Sequence, residues 1–157
     1  PELEVLRHQH FHLDNLALDS GTEVLEGVGG DTIEISVVIQ PGNASACGLM
    51  VRCNDDGTRG VEIRYDGRVL AVNADRATEV PLELDPEAAL DLRVFLDKSV
   101  MEIFADGGLR SIARVIYPPR RDKGLAFFAD GGSASVRSLD VWQMKPIWGN
   151  SMGERCN

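Results

Sequence analysis

A chain of 157 residues with 43% hydrophobic and 26% charged side chains has the composition of one globular domain around a single core. Its formal net charge of -9 opposes binding to nucleic acid and to anionic membranes, because polyanions repel an acidic surface. No apolar run approaches the ~18 residues that a membrane-crossing helix needs.

In chain order, residues 1–10 read as an interdomain linker remnant, 11–148 as one β-sandwich domain and 149–157 as a C-terminal tail. The first clear element is DTIEISVVIQ at 31–40, where Ile33, Ile35, Val37 and Ile39 recur at period two, the mark of a half-buried strand rich in β-branched residues. Pro41 and Gly42 end it. CGLMVRC at 47–53 is the next strand, and NDDG at 54–57 supplies turn chemistry before GVEIRY at 60–65. Asp66-Gly67 joins that strand to RVLAVN at 68–73 as a hairpin. Within LRVFLDKSVMEIFADGG at 92–108, Leu92, Val94 and Leu96 face one way and Arg93, Phe95 and Asp97 the other. In the arm that follows, Val100, Glu102 and Phe104 alternate with Met101, Ile103 and Ala105, with Lys98 and Ser99 at the turn between the arms. A strand at 111–117, a strand GLAFFAD at 124–130 and a long alternating segment at 134–144 complete the set.

No stretch of helical period competes, and no repeat of 20–50 residues suggests a propeller or solenoid. Short strands separated by Gly, Pro, Asn and Asp predict an all-β fold: two antiparallel sheets packed as a jelly-roll or concanavalin-like sandwich in a single domain. Of the three cysteines, Cys47 and Cys53 would stand roughly 20 Å apart on one extended strand, too far for a mutual disulfide. With Cys156 they read as free thiols, which favours a reducing, cytoplasmic setting.

Three groups of residues invite a functional reading. His8, His10 and His12, the chain's three histidines, would project from one face of an extended strand with neighbouring Cα atoms about 7 Å apart, close enough for two imidazoles to share a metal. The sequence specifies no acidic or cysteine ligand near them, so neither a metal nor any other cofactor is expected. Asp97 and Glu102 could approach across their hairpin, as the paired carboxyls of a retaining glycosidase must at roughly 5 Å. A water-facing turn does not desolvate a carboxyl as an acid catalyst requires, so no catalytic residue is expected. Sugar rings stack on exposed aromatics, for which Phe128, Trp142 and Trp148 are the candidates. Of Phe127 and Phe128, adjacent on one strand, one should face inward and the other outward, and Trp142 shares the period-two face of Val136 and Met144, which favours its burial.

The segment LRVFLDKSVMEIFADGG resembles the carboxy-terminal β-sandwich of glycoside hydrolase family 32, the invertases, inulinases and levanases. PELEVLR at 1–7 is similar to the linker that leaves that family's catalytic domain. GLMVRCNDDG at 48–57, VEIRYDG at 61–67 and AVNADRA at 71–77 are similar to its middle strands, and RVIYPPR at 114–120 and SLDVWQMKPIW at 138–148 to its closing ones. The resemblance implies a parent that hydrolyses or transfers β-linked fructosyl units with two carboxylates borne on a five-bladed propeller ahead of the sandwich. It implies motifs resembling MNDPNG, RDP and a glutamate before a cysteine, and none of them occurs. CNDDG at 53–57 lacks the proline and second asparagine, Arg121-Asp122 is followed by Lys123, and no glutamate precedes a cysteine. The expected role is therefore a non-catalytic accessory domain that packs through a partly apolar face on the propeller, stabilises it and contributes to oligomer contacts such as a homodimer. The alternatives are an independent module that binds fructan or sucrose, and a free-standing hydrolase.

Overall fold

The structure, a computed structural model, describes residues 7–74 and 77–145. Ten strands run among them: β1 (Arg7–Gly29), β2 (Thr32–Gln40), β3 (Ala46–Cys53), β4 (Val61–Tyr65), β5 (Val69–Asn73), β6 (Ala77–Pro81), β7 (Leu90–Asp97), β8 (Val100–Ala105), β9 (Arg110–Val115) and β10 (Gly124–Met144). Every pairing is antiparallel, in the order β6-β5-β4-β3-β10-β2-β7-β8-β9, with β1 also on β10.

β10 makes the two layers out of this one sheet. Its residues 124–130 pair with β3 and its residues 135–143 pair with β2. Between them Gly131 and Gly132 turn the strand, with φ of 65° and 153°. A Cβ on Gly131 would lie 2.4 Å from Ser45 Oγ, and one on Gly132 would lie 2.5 Å from the Asn43 carbonyl oxygen, so the corner excludes side chains. β1 follows the same bend, with a register shift between Asp19 and Gly21. The free edges β6 and β9 approach each other, bridged by Arg110 Nε donating to the Pro81 carbonyl at 2.9 Å and by Arg114 donating to Thr78 Oγ1. The sandwich thus closes nearly into a barrel.

The inner faces follow the alternation of the sequence. Ile33, Ile35, Val37 and Ile39 from β2, Leu92, Val94 and Leu96 from β7, and Met101 and Ile103 from β8 are buried against Leu49, Ile63, Val72 and Phe127 of the other layer. Each such side chain contributes about 1.5–3 kcal/mol of transfer free energy. Cys47 and Cys53 are free and buried, and burial pushes the Cys47 thiol up to about 11, making it a packing residue rather than a nucleophile. The β7–β8 turn is Lys98-Ser99, with Asp97 opposite Val100. Lys98 takes φ 56° there. Its N–H donates to the Asp31 carbonyl at 2.7 Å, and its carbonyl accepts from Arg52 at 3.1 Å, which holds a left-handed conformation that glycine or asparagine usually supplies.

Several expectations are corrected. Residues 7–10 belong to β1, paired with β10, rather than to a linker. The segments at 124–130 and 134–144 are one bent strand. β1 and β6 carry no strand signal that the sequence pattern detects, yet β6 pairs with β5 along its length and β1 pairs with β10 in a ladder broken by three register shifts. Phe127 and Phe128 are both buried, because Arg64 reaches over the Phe128 ring at 5.6 Å and closes it from solvent.

Candidate functional site

The outer face of the second layer gathers the chemistry that the core excludes. Cross-strand register lines up His10, Trp142, Glu34, Phe95 and Glu102 in one row, and His12, Asp140, Ser36, Arg93 and Phe104 in the next. Residues directly opposite one another share a face. Trp142 reaches this face through a β-bulge: Val136 pairs with Ile39 and Ser138 with Val38, leaving Arg137 as an extra residue. That insertion reverses the alternation, so Val136 stays inside while Trp142, expected beside it, is half-buried on the outside.

Glu34 is the centre of the first row. Only 1% exposed, its carboxylate accepts from Arg7 Nε at 2.9 Å and from Arg7 Nη2, and Arg93 Nε lies 3.3 Å away. A buried carboxylate is tolerable only when paired this way. The Arg7 guanidinium also lies 3.9 Å over the Trp142 ring, a cation–π contact. Across the strands, Phe95 and Phe104 meet edge to face at 6.0 Å, beside a groove of about 380 Å3 lined by Thr32, Val100, Glu102 and Met144.

The two histidines, one from each row, meet at Asp140. His10 Nε2 lies 2.7 Å and His12 Nδ1 2.8 Å from the same atom, Asp140 Oδ1. His12 Nε2 lies 3.0 Å from Asp14 Oδ2. The His10 ring stacks on Trp142 at 5.0 Å with planes 8° apart. Hydrogen bonding to Asp140 and then to Asp14 raises the pKa of His12. Burial pushes Asp140 up, but hydrogen bonds from His12 and His10 outweigh it and hold the carboxyl below its usual range. His8 falls in the register shift between Arg7 and Gln9 and stands outside this cluster, so the expected three-histidine face reduces to two.

Of the expected aromatic platform, Phe128 is buried, Trp142 is covered by His10 and Arg7, and Trp148 lies outside the described residues. Asp97 and Glu102 are both exposed. The sequence pattern misses Asp140, Glu34 and Arg7. Glu34 has a signal, as the lone charge within a β-branched run. Nothing local ties His12 to a carboxylate 128 residues away.

The profile of Glycosyl hydrolases family 32 C terminal matches residues 2–143. A levanase of Bacillus subtilis (strain 168) is 29% identical over 167 residues, an alignment that covers 96% of this chain and 24% of the levanase. A levanase of Bacillus sp. (strain L7) is 30% identical over 145 residues, covering 82% of this chain and 16% of the relative. Among solved structures, fructan 1-exohydrolase IIa from Cichorium intybus superposes with a TM-score of 0.81 at 17% identity, over 92% of this chain and 37% of that one. The exo-inulinase of Aspergillus awamori does so at 0.72 and 17%, over 90% and 30%. The structural likeness is one of fold, and the chain spans about a quarter of the length of the first levanase.

Proposed function

Because the chain belongs to the C-terminal domain family of glycosyl hydrolases family 32, we propose that it is the non-catalytic accessory β-sandwich of a retaining β-fructosidase acting on sucrose or fructans. The bond-breaking carboxylates then belong to an upstream domain. The observation that carries this reading is one of proportion: a match over 96% of this chain uses only 24% of a levanase. The chemistry agrees. Asp97 and Glu102 are exposed, whereas a glycosidase pair needs one carboxyl in a desolvated setting.

The surface at one end of the sandwich suits an upstream domain. The start of β1, the end of β7, the start of β8 and the end of β9 lie together there, as the pairings of Arg7 with Met144, Gln143 with Ile33, Thr32 with Asp97, Asp97 with Val100 and Val100 with Val115 require. At the same end Val100 is 47%, Val115 48% and Tyr117 80% exposed. Beside Tyr117 opens a cleft of about 680 Å3 lined by Lys98, Arg120 and Lys123. Apolar side chains exposed together beside a cleft mark contact surfaces, and covering them stabilises by about 25 cal/mol per Å2. The test joins the sandwich to its catalytic domain and replaces Val100 and Val115 by lysine. Thermal unfolding of the two-domain enzyme should fall by several degrees, while the sandwich alone keeps its melting temperature. Equal effects on both would place the interface elsewhere, and self-association of the sandwich abolished by the same changes would point to a homodimer contact.

A second reading, favoured by the Phe95–Phe104 corner and its groove, is a fructan-binding module. Calorimetric titration with inulin, levan and sucrose separates the two: heat that saturates in the millimolar range and disappears in Phe104→Ala supports the module, and its absence leaves the accessory role.

A further inference from the structure

The His10, His12 and Asp140 cluster has no part in packing the sandwich or in the interface proposed above. One ligand atom from each lies within 4.8 Å of the others, and the three residues come from adjacent positions of β1 and β10, both paired through this stretch. We propose that His10, His12 and Asp140 form a binding site for a divalent transition-metal ion of the zinc or copper class.

The donor set selects that class. Two imidazole nitrogens and a carboxylate oxygen suit zinc, copper and nickel, whereas magnesium and calcium take oxygen-rich shells. His12 is already oriented as a ligand. Its Nε2 is 3.0 Å from Asp14 Oδ2, so a neutral imidazole donates there and turns the bare lone pair of Nδ1 toward Asp140 Oδ1 at 2.8 Å. Two lone pairs at that distance repel unless a cation, either a second proton or a metal ion, lies between them. The Asp14 contact is also the arrangement that orients metal-binding histidines, in which a carboxylate takes the outer N–H and sharpens the inner nitrogen as a donor. His10 is fixed by its stack on Trp142, which Arg7 holds from its own contact with the indole.

With neutral imidazoles the two carboxylates Asp14 and Asp140 leave a local charge that a divalent ion offsets. Tetrahedral ligands about 2.0–2.1 Å from zinc stand about 3.3 Å apart, so each imidazole nitrogen moves out from Asp140 Oδ1 by roughly half an ångström, and the widest separation in the cluster, within 4.8 Å, narrows to match. The side chains are half exposed, His10 and His12 at 47% each and Asp140 at 28%, which leaves the fourth position to water. A bound ion pins the first strand to the long strand beside it.

The experiment titrates Zn2+ into the reduced full chain carrying Cys156→Ser, by calorimetry, and follows quenching of tryptophan fluorescence by Cu2+. One equivalent of Zn2+ should bind saturably and raise the melting temperature. His10→Ala, His12→Ala and Asp140→Asn should each weaken binding at least tenfold, and Asp14→Asn should do so about tenfold through its contact with His12 Nε2. His8→Ala should bind as the parent does. Cu2+ should quench the parent but not Trp142→Phe, since the indole stacks on a ligand. Circular dichroism melts in EDTA establish that each variant folds. Binding within twofold of the parent in His12→Ala and Asp140→Asn, or no saturable binding at all, overturns the proposal.

Discussion

Arg52 carries a charge into the interior and spends every arm of its guanidinium on backbone. It is 5% exposed with a φ of 52°. Nε donates to the Asp122 carbonyl at 2.6 Å, Nη1 to Lys98 at 3.1 Å and Nη2 to Pro119 at 3.1 Å. One side chain thereby ties the β7–β8 turn to the loop before β10. Arg52→Met removes the donors and leaves three carbonyls without them, which should cost about 3 kcal/mol, read as a lower urea midpoint at unchanged m-value. The neighbouring clamp gives a pH dependence. Asp122 accepts from Arg59 Nε at 2.8 Å and Nη2 at 3.1 Å, and these bonds hold its carboxyl below the usual range. A carboxyl depressed in the folded state stabilises fully above its unfolded pKa of about 3.9 and loses that contribution as pH falls through the folded value. The stability gap between the parent and Asp122→Asn should therefore stay level from about pH 8 to pH 5 and close below about pH 4, as equilibrium unfolding at each pH will register.

At the scale of the strands, β10 decides the architecture. Gly132→Ala puts a methyl group 2.5 Å from the Asn43 carbonyl at a φ of 153°, and should cost about 2–4 kcal/mol, whereas Gly67→Ala, with open space around its Cβ, should cost about 1 kcal/mol for its positive φ alone. Thermal melts of the two variants side by side check this. Gly131-Gly132 also explains what the sequence conceals, since a glycine pair between two alternating runs reads as a turn although the chain continues as one strand around a corner. β2, β7 and β8 are legible because one face of each is dry, so Ile33 to Ile39 and Leu92 to Leu96 keep strict alternation. β1 hides because register shifts at Arg7/Gln9, Asp19/Gly21 and Val24/Gly29 interrupt its period, and because most of its side chains are exposed or only half-buried. The same cause moves Trp142: one extra residue, Arg137, reverses the face of everything after it. The histidines were visible as a group, but their carboxylate was not, since Asp140 reaches them only through the pairing of β1 with β10.

At the scale of the molecule, the acidic chain, with its net charge of -9, concentrates Lys98, Arg120, Lys123 and the exposed Val100, Val115 and Tyr117 at the end where β1 begins. That arrangement supports the proposed contact of this end with an upstream domain. The outer face of the second layer is organised instead around a buried, doubly paired Glu34 and the His–His–Asp cluster. The most direct measurement of this account compares the release of reducing sugar from sucrose, inulin and levan by this chain alone and by the same chain joined to its catalytic domain. The account predicts turnover only by the joined protein. Release of fructose by the isolated chain, abolished by Glu102→Gln, would contradict it.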